Sequence, residues 1–215
     1  MRLPKKILSY SAVNAFTKTS THRQWIQRYI YKEPFFETPE LLFGKRVSDN
    51  LDKDNFFDWD EDLRDVLCKA PMYGIPEEVV VLQRKGYAIQ AYLDRALEDY
   101  SKIIEFKTGK TAWTQERLDS DLQTAVYSWL IYENFNIIPE VTLCWLPTTG
   151  QREELYLTGE VVCFERKVTK EQIEATAQLF DDAAQRMSQV YQLYLDGHDL
   201  REAKAARELI KKHLG

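Results

Sequence analysis

Asp94 closes a run of apolar residues, and ten positions separate it from Glu105, which opens the triplet Glu105, Phe106, Lys107. Two carboxylates and an ammonium spaced in this way are the smallest set able to support metal-assisted cleavage of a phosphodiester. The carboxylates are hard anionic ligands for a divalent ion, and the ammonium meets charge that develops on the phosphate. Asp94 and Glu105 are therefore the candidate catalytic and metal-ligating residues, with the Phe106 carbonyl as a further ligand and Lys107 to orient a water or hold the same charge. An ion-paired strand surface uses the same residue types, so the elements that present them carry the distinction.

Residues 86–94 and 102–108 are short and rich in β-branched and aromatic side chains, with a polar connection from Arg95 to Ser101. That pattern predicts a β-hairpin. Alternation puts Ile103, Glu105 and Lys107 on one face and Ile104 and Phe106 on the other. Apolar residues on both faces make this an internal strand, so its charges sit at the margin of a core, where an unpaired carboxylate requires a cation.

The remaining elements follow from capping and periodicity. Ser9 or Ser11 can cap a helix over 12–18, Thr21 a second through Tyr31, and residues 41–51 and 60–69 are helical. Residues 78–84 add a strand before the hairpin. Residues 115–134 carry an apolar stripe of helical period, 141–146 and 154–166 read as strands, and a long helix runs over 169–196 until Gly197. Asp199 can cap a last helix ending at His213. The order predicts an α/β fold, a three-layer α/β/α sandwich on a central mixed sheet with added N- and C-terminal helices. We expect one domain over 1–215: a helical, partly basic region at 1–70, an α/β core at 71–168 and C-terminal helices at 169–215.

At 215 residues and 44% hydrophobic content the chain can bury one substantial core. No apolar run is long enough to span a membrane and the first residues lack a signal-peptide pattern, which predicts a soluble, cytoplasmic protein. Cys68, Cys144 and Cys163 are scattered and odd in number, arguing against a disulfide framework or a Cys-x-x-Cys metal site. The net charge of −5 conceals an asymmetry: residues 1–32 hold seven Lys or Arg and no acid, interleaved with aromatics. Basic groups neutralise phosphates and aromatics stack on bases, so Arg23 and Arg28 are candidate nucleic-acid contacts. A helix pair with its aromatics turned inward has the same composition. The Gly109-Lys-Thr111 segment is not a P-loop, because the first glycine of that motif would fall on Ile104.

Five segments together resemble the PD-(D/E)XK nucleases, specifically the RecB-like branch that includes CRISPR-associated RecB-like exonucleases and phage nucleases. In order they are Leu8-Ser-Tyr-Ser-Ala-Val-Asn-Ala-Phe16, Phe43-Gly-Lys-Arg-Val47, Tyr92-Leu-Asp94, Ile104-Glu-Phe-Lys-Thr-Gly-Lys110 and Gln123-Thr-Ala-Val-Tyr127. The resemblance implies a restriction-endonuclease-like fold and a Mg²⁺- or Mn²⁺-dependent nuclease, an exonuclease acting on single- or double-stranded DNA in repair or recombination. It gives Gln123 and Tyr127, one helical turn apart, a role in orienting substrate or Lys107. Lys110, following Gly109, is a candidate phosphate contact, and a solvated loop lysine fits the same position. Many RecB-like nucleases place a histidine ligand where this chain has Ser48; Asp49, or Asp52 one turn on, can substitute, and Asp49 is the expected ligand. Three isolated cysteines cannot hold the iron–sulfur cluster some relatives carry. The other reading is a nuclease fold that has lost turnover at Ser48 and binds nucleic acid or a partner protein. The helices at 169–214 offer a face to a helicase, a recombination partner or a second copy, although their mixed charge favours packing on the core.

Overall fold

The computed structural model describes residues 1–19, 21–53, 55–152 and 154–214, with the side chains of Ala203, Lys204 and Leu214 excepted. The chain divides into two compact units. One comprises Met1–Phe35, Val81–Ala91 and Glu174–Gly215, the other Phe36–Val80 and Tyr92–Ile173.

The second unit carries most of a mixed sheet. The strands are β1 (Ile7–Leu8), β2 (Ile75–Arg84), β3 (Tyr87–Ala96), β4 (Lys102–Gly109), β5 (Glu140–Gln151), β6 (Glu154–Leu157) and β7 (Val162–Lys167). They pair in the order β1-β3-β4-β5-β6, with β2 on β3 and β7 on β5. β4 is internal, as its two apolar faces predict: it is antiparallel to β3 and parallel to β5, with Glu105 opposite Leu143 and Phe106 opposite Cys144.

Alternation along β5 defines the layers. Leu146 packs with Phe43, Val47 and Leu51 of α3 (Pro39–Leu51) and with Leu63 and Leu67 of α4 (Glu61–Leu67), and Phe106 lies against the same cluster. Leu143, three residues earlier and so on the other face, packs with Trp113 and with Leu118 of α5 (Gln115–Asp119). Next to α5 runs α6 (Leu122–Phe135), buried from Thr124 to Ile131.

In the second unit the structure departs from the sequence reading at three places. The helix over 115–134 breaks at Ser120, because the Asp121 side chain accepts from the Thr124 amide at 2.9 Å and starts a new helix. The strand over 154–166 is two, β6 and β7, each antiparallel to a different part of β5. Arg95 belongs to β3 rather than to the hairpin loop, and its buried guanidinium donates to the Leu51 carbonyl at 2.9 Å.

The first unit pairs β1 in parallel with the first half of β3. Its helices are α1 (Tyr10–Thr17), α2 (Arg23–Trp25, continued by a π-helical turn at Ile26–Ile30), α7 (Lys170–Leu195) and α8 (Ala203–Leu214), α7 beginning in the other unit. Ser9 caps α1 as expected, whereas His22, not Thr21, precedes α2 and makes no side-chain cap bond. Asp199 does not cap α8. It accepts from the Tyr31 hydroxyl at 2.9 Å, and that oxygen in turn accepts from the Leu200 amide.

Candidate functional site

β3 and β4 supply the floor of a cleft of about 630 Å³ in the second unit. Their register pairs Arg95 with Ile104 and Ala96 with Ile103. At Asp94 a carboxylate oxygen, rather than a backbone carbonyl, accepts the Phe106 amide at 2.7 Å. This bond sets the two carboxylates of Asp94 and Glu105 side by side. Both line the cleft together with Phe106 and Lys107.

α6 closes one side. Because α6 begins at Leu122, Gln123 lies in its first turn and reaches β4. Gln123 Nε2 donates to Glu105 Oε1 at 2.8 Å, and its Oε1 accepts from Lys107 Nζ at 2.9 Å. Lys107 also donates to Glu105, and Gln123 donates to the Tyr127 hydroxyl oxygen. One glutamine therefore fixes carboxylate, ammonium and phenol together. The start of α6 is held by Arg166 of β7, whose Nη1 donates to the carbonyls of Leu118 and Asp121 and to Thr124 Oγ1 at 3.0, 2.6 and 2.7 Å.

α3, on the other face of the sheet, forms a wall of the cleft. Gly44 allows its close approach: a Cβ there would stand 3.0 Å from Thr108 Oγ1. The wall presents Lys45, Ser48, Asp49 and Asp52 to the cleft, and β2 adds Glu77. Glu77 has left-handed backbone (φ 49°) inside a strand, a conformation costing of order 1 kcal/mol for a residue with a Cβ. Its carboxyl group hydrogen bonds to Asp52.

The cleft is charged beyond its cations. Burial pushes the Asp94 carboxyl well above its ordinary value, and the Glu105 charge adds to this against the Phe106 amide and Lys107. Asp52 is raised to about 6 by burial, then by the charge and hydrogen bond of Glu77. Burial alone would lower the Lys107 ammonium, yet Glu105 and then Asp94 hold it above the usual lysine value, so it is cationic at neutral pH. Burial and then Glu105 and Asp94 keep the Tyr127 hydroxyl protonated.

Glu105 is 3% exposed, and its Oε2 is buried with no partner. A carboxylate oxygen so placed is costly unless a cation meets it. With Asp94 beside it and Asp52 and Glu77 across the cleft, the donor set is all oxygen, which fits a hard divalent ion. As the side chains stand, Lys107 and Gln123 occupy the other Glu105 oxygen, and no group of three His, Cys, Asp or Glu is gathered as a ligand cluster among the described residues.

Of the residues singled out from sequence, the cleft unites Asp94, Glu105, Phe106, Lys107 and Asp49, with Gln123 and Tyr127 bonded to them. Asp49 is exposed, and Asp52 is the less exposed of the two. Lys110 is exposed beyond β4, near enough for its charge to act on Glu40 at the start of α3. Arg23 and Arg28 belong to the first unit, where both are exposed and Arg28 lies over the Tyr29 and Phe35 rings. Sequence reasoning missed Glu77, Arg166 and the buried Arg95. Each has a charged neighbour in the sequence, Glu78, Asp94, or Glu165 and Lys167, so no local pattern set it apart.

No curated protein matches the chain significantly. Solved structures of similar fold include the following two. A protein from Eubacterium rectale named provisionally as an exonuclease superposes with a TM-score of 0.57 at 14% identity, covering 85% of this chain and 80% of its own. The protein SSO0001 gives 0.50 at 12% identity, covering 84% and 76%. A profile of the PD-(D/E)XK nuclease superfamily matches residues 58–208, which include the Asp94, Glu105, Lys107 and Gln123 constellation. A match over that length, together with a mixed sheet whose adjoining strands carry the acid and the Glu-x-Lys of that name, means that this chain belongs to the PD-(D/E)XK nuclease superfamily.

Proposed function

We propose that the chain is a Mg²⁺- or Mn²⁺-dependent deoxyribonuclease that hydrolyses phosphodiester bonds with water. The observation that carries this reading is the buried, unpartnered Oε2 of Glu105 beside Asp94, with Lys107 held by Gln123 at the same place. Asp94, Glu105 and the Phe106 carbonyl would hold the ion. Asp52 is better placed than Asp49 to complete the set, being less exposed and bonded to Glu77. A divalent ion there supplies Lewis acidity to the scissile phosphate and lowers the pKa of nearby water.

The residues of the chain do the rest. The Lys107 ammonium, directed by Glu105 and Gln123, faces the phosphate oxygens on which charge grows and can hold a water for attack. Gln123 keeps the ammonium in place, and the Tyr127 hydroxyl anchors Gln123. Lys45 at the cleft wall and Lys110 beyond β4 would meet flanking phosphates, and Arg23 and Arg28 would bind DNA from the first unit. Exonuclease action is supported by the resemblance to RecB-like nucleases and by the provisional name of the Eubacterium rectale protein.

The test is a digestion series on end-labelled linear and on circular DNA, single- and double-stranded, with Mg²⁺, Mn²⁺ or chelator. Shortening of linear DNA with metal, abolished in Glu105→Gln and Lys107→Ala, is the expected result. Cleavage that persists in both variants assigns the activity elsewhere, and retention of DNA without cleavage means a binding module. Charge reversal at Arg23 and Arg28 should weaken DNA binding and flatten its salt dependence; unchanged binding removes them from the interface.

A further inference from the structure

Two of the three cysteines are neighbours in space. Cys144 on β5 and Cys163 on β7 are directly opposed in the antiparallel register. Directly opposed residues on antiparallel strands have Cα atoms about 4.5–5.5 Å apart, within the range a disulfide spans, and the two thiols are within hydrogen-bonding reach. Cys144 is fully buried, whereas Cys163 is exposed on β7, which among the described residues pairs with β5 alone. One sulfur is thus open to a solvent oxidant and the other is fixed behind it.

We propose that Cys144 and Cys163 are a peroxide-oxidisable dithiol that closes to an intrachain disulfide. In the first step the Cys163 sulfur attacks one oxygen of hydrogen peroxide, the O–O bond breaks and, after protonation, one water leaves. Cys163 is then a sulfenic acid. The Cys144 sulfur attacks the Cys163 sulfur, the S–O bond breaks, and the hydroxide departs with the Cys144 proton as a second water. Two thiols lose two electrons, and the peroxide gains them.

Electrostatics favours that order. A hydrogen bond from Cys144 lowers the Cys163 thiol below the ordinary cysteine value, while the same bond and burial raise Cys144. Since the thiolate is the nucleophile, Cys163 reacts first and Cys144 resolves. Cys144 also pairs with Phe106 on β4, so the disulfide would tie β7 to the row that holds the bond between Asp94 and Phe106. The chain's other thiol, Cys68 at the end of α4, is exposed and serves as an internal control.

The experiment treats the reduced full chain with hydrogen peroxide, alkylates it under denaturing conditions and maps the peptides. A Cys144–Cys163 cross-linked peptide, a fall in free thiols from three to one, and recovery with dithiothreitol are expected. In Cys163→Ser, whose substitution is at the surface, no cross-link should form and Cys144 should stay reduced. In Cys144→Ser, a sulfenic acid trapped by dimedone should accumulate at Cys163. Over-oxidation of Cys163 with Cys144 still alkylated, or a cross-link through Cys68, would overturn the proposal.

Discussion

The Asp94 carboxylate accepts the Phe106 amide at 2.7 Å, so a side chain takes the role of a backbone carbonyl where β3 and β4 part. Asparagine can keep that bond while removing the charge. Asp94→Asn should therefore fold with a melting temperature no lower than the parent's, since the buried charge is disfavoured there, and lose nuclease activity by about 10²-fold or more. Asp94→Ala should in addition lose about 1–3 kcal/mol in urea unfolding, because the amide is left unpaired. Equal stability of the two variants would mean that the bond contributes nothing.

Gln123 bridges Glu105 and Lys107 and has a second role only if that bridge matters to turnover. Gln123→Leu should keep the fold and lower kcat by roughly 10-fold to 10²-fold, since Lys107 loses one of its two acceptors. A rise in KM with kcat unchanged would show that Gln123 binds substrate and does not position the lysine.

Arg166 is a buried cation whose Nη1 makes three bonds to the α5–α6 junction. Arg166→Met should cost about 3 kcal/mol in chemical denaturation by leaving acceptors unpaired. It should also reduce activity through displacement of Gln123. Arg166→Lys, which can keep only part of the set, should fall between the two.

Gly44 lets α3 pass close to Thr108. Gly44→Val should overpack this contact by about 1–3 kcal/mol and lower activity by moving the Ser48–Asp52 wall. The double variant with Thr108→Ala should recover part of the loss; no recovery would place the clash elsewhere.

His22 in the first unit stacks on Phe16, with its Nδ1 2.7 Å from the Phe16 carbonyl. Burial, together with the Arg186 charge, lowers its pKa below 6.5 against the opposing pull of that carbonyl. A histidine depressed in the folded state binds fewer protons folded than unfolded. Its stabilisation is complete above the unfolded value and is lost as pH falls from about 6.5 toward the folded value. The melting temperature should drop over that window in the parent and less in His22→Asn; parallel profiles would assign the acid sensitivity to other groups.

The grouping of Asp94, Glu105 and Lys107 was legible because it is local. A strand's alternation and a short hairpin suffice to bring Asp94, Glu105 and Lys107 together, and the spacing of Gln123 and Tyr127 needs only a helix. The cap at Asp121 and the break at Ser120 were equally local, yet the apolar stripe through Leu118 and Leu122 masked them.

The amino-acid sequence by itself determined most of the strands and helices and the gathering of charged side chains at β4, since alternation, period and capping act over a few residues. Tertiary structure alone decided that Asp52 would meet Glu77, that Arg166 would hold the start of α6 and that Cys144 would face Cys163. Each of those pairs joins segments distant in the chain, and their meeting depends on sheet register and on the closeness of helix to sheet at Gly44, which no local pattern encodes.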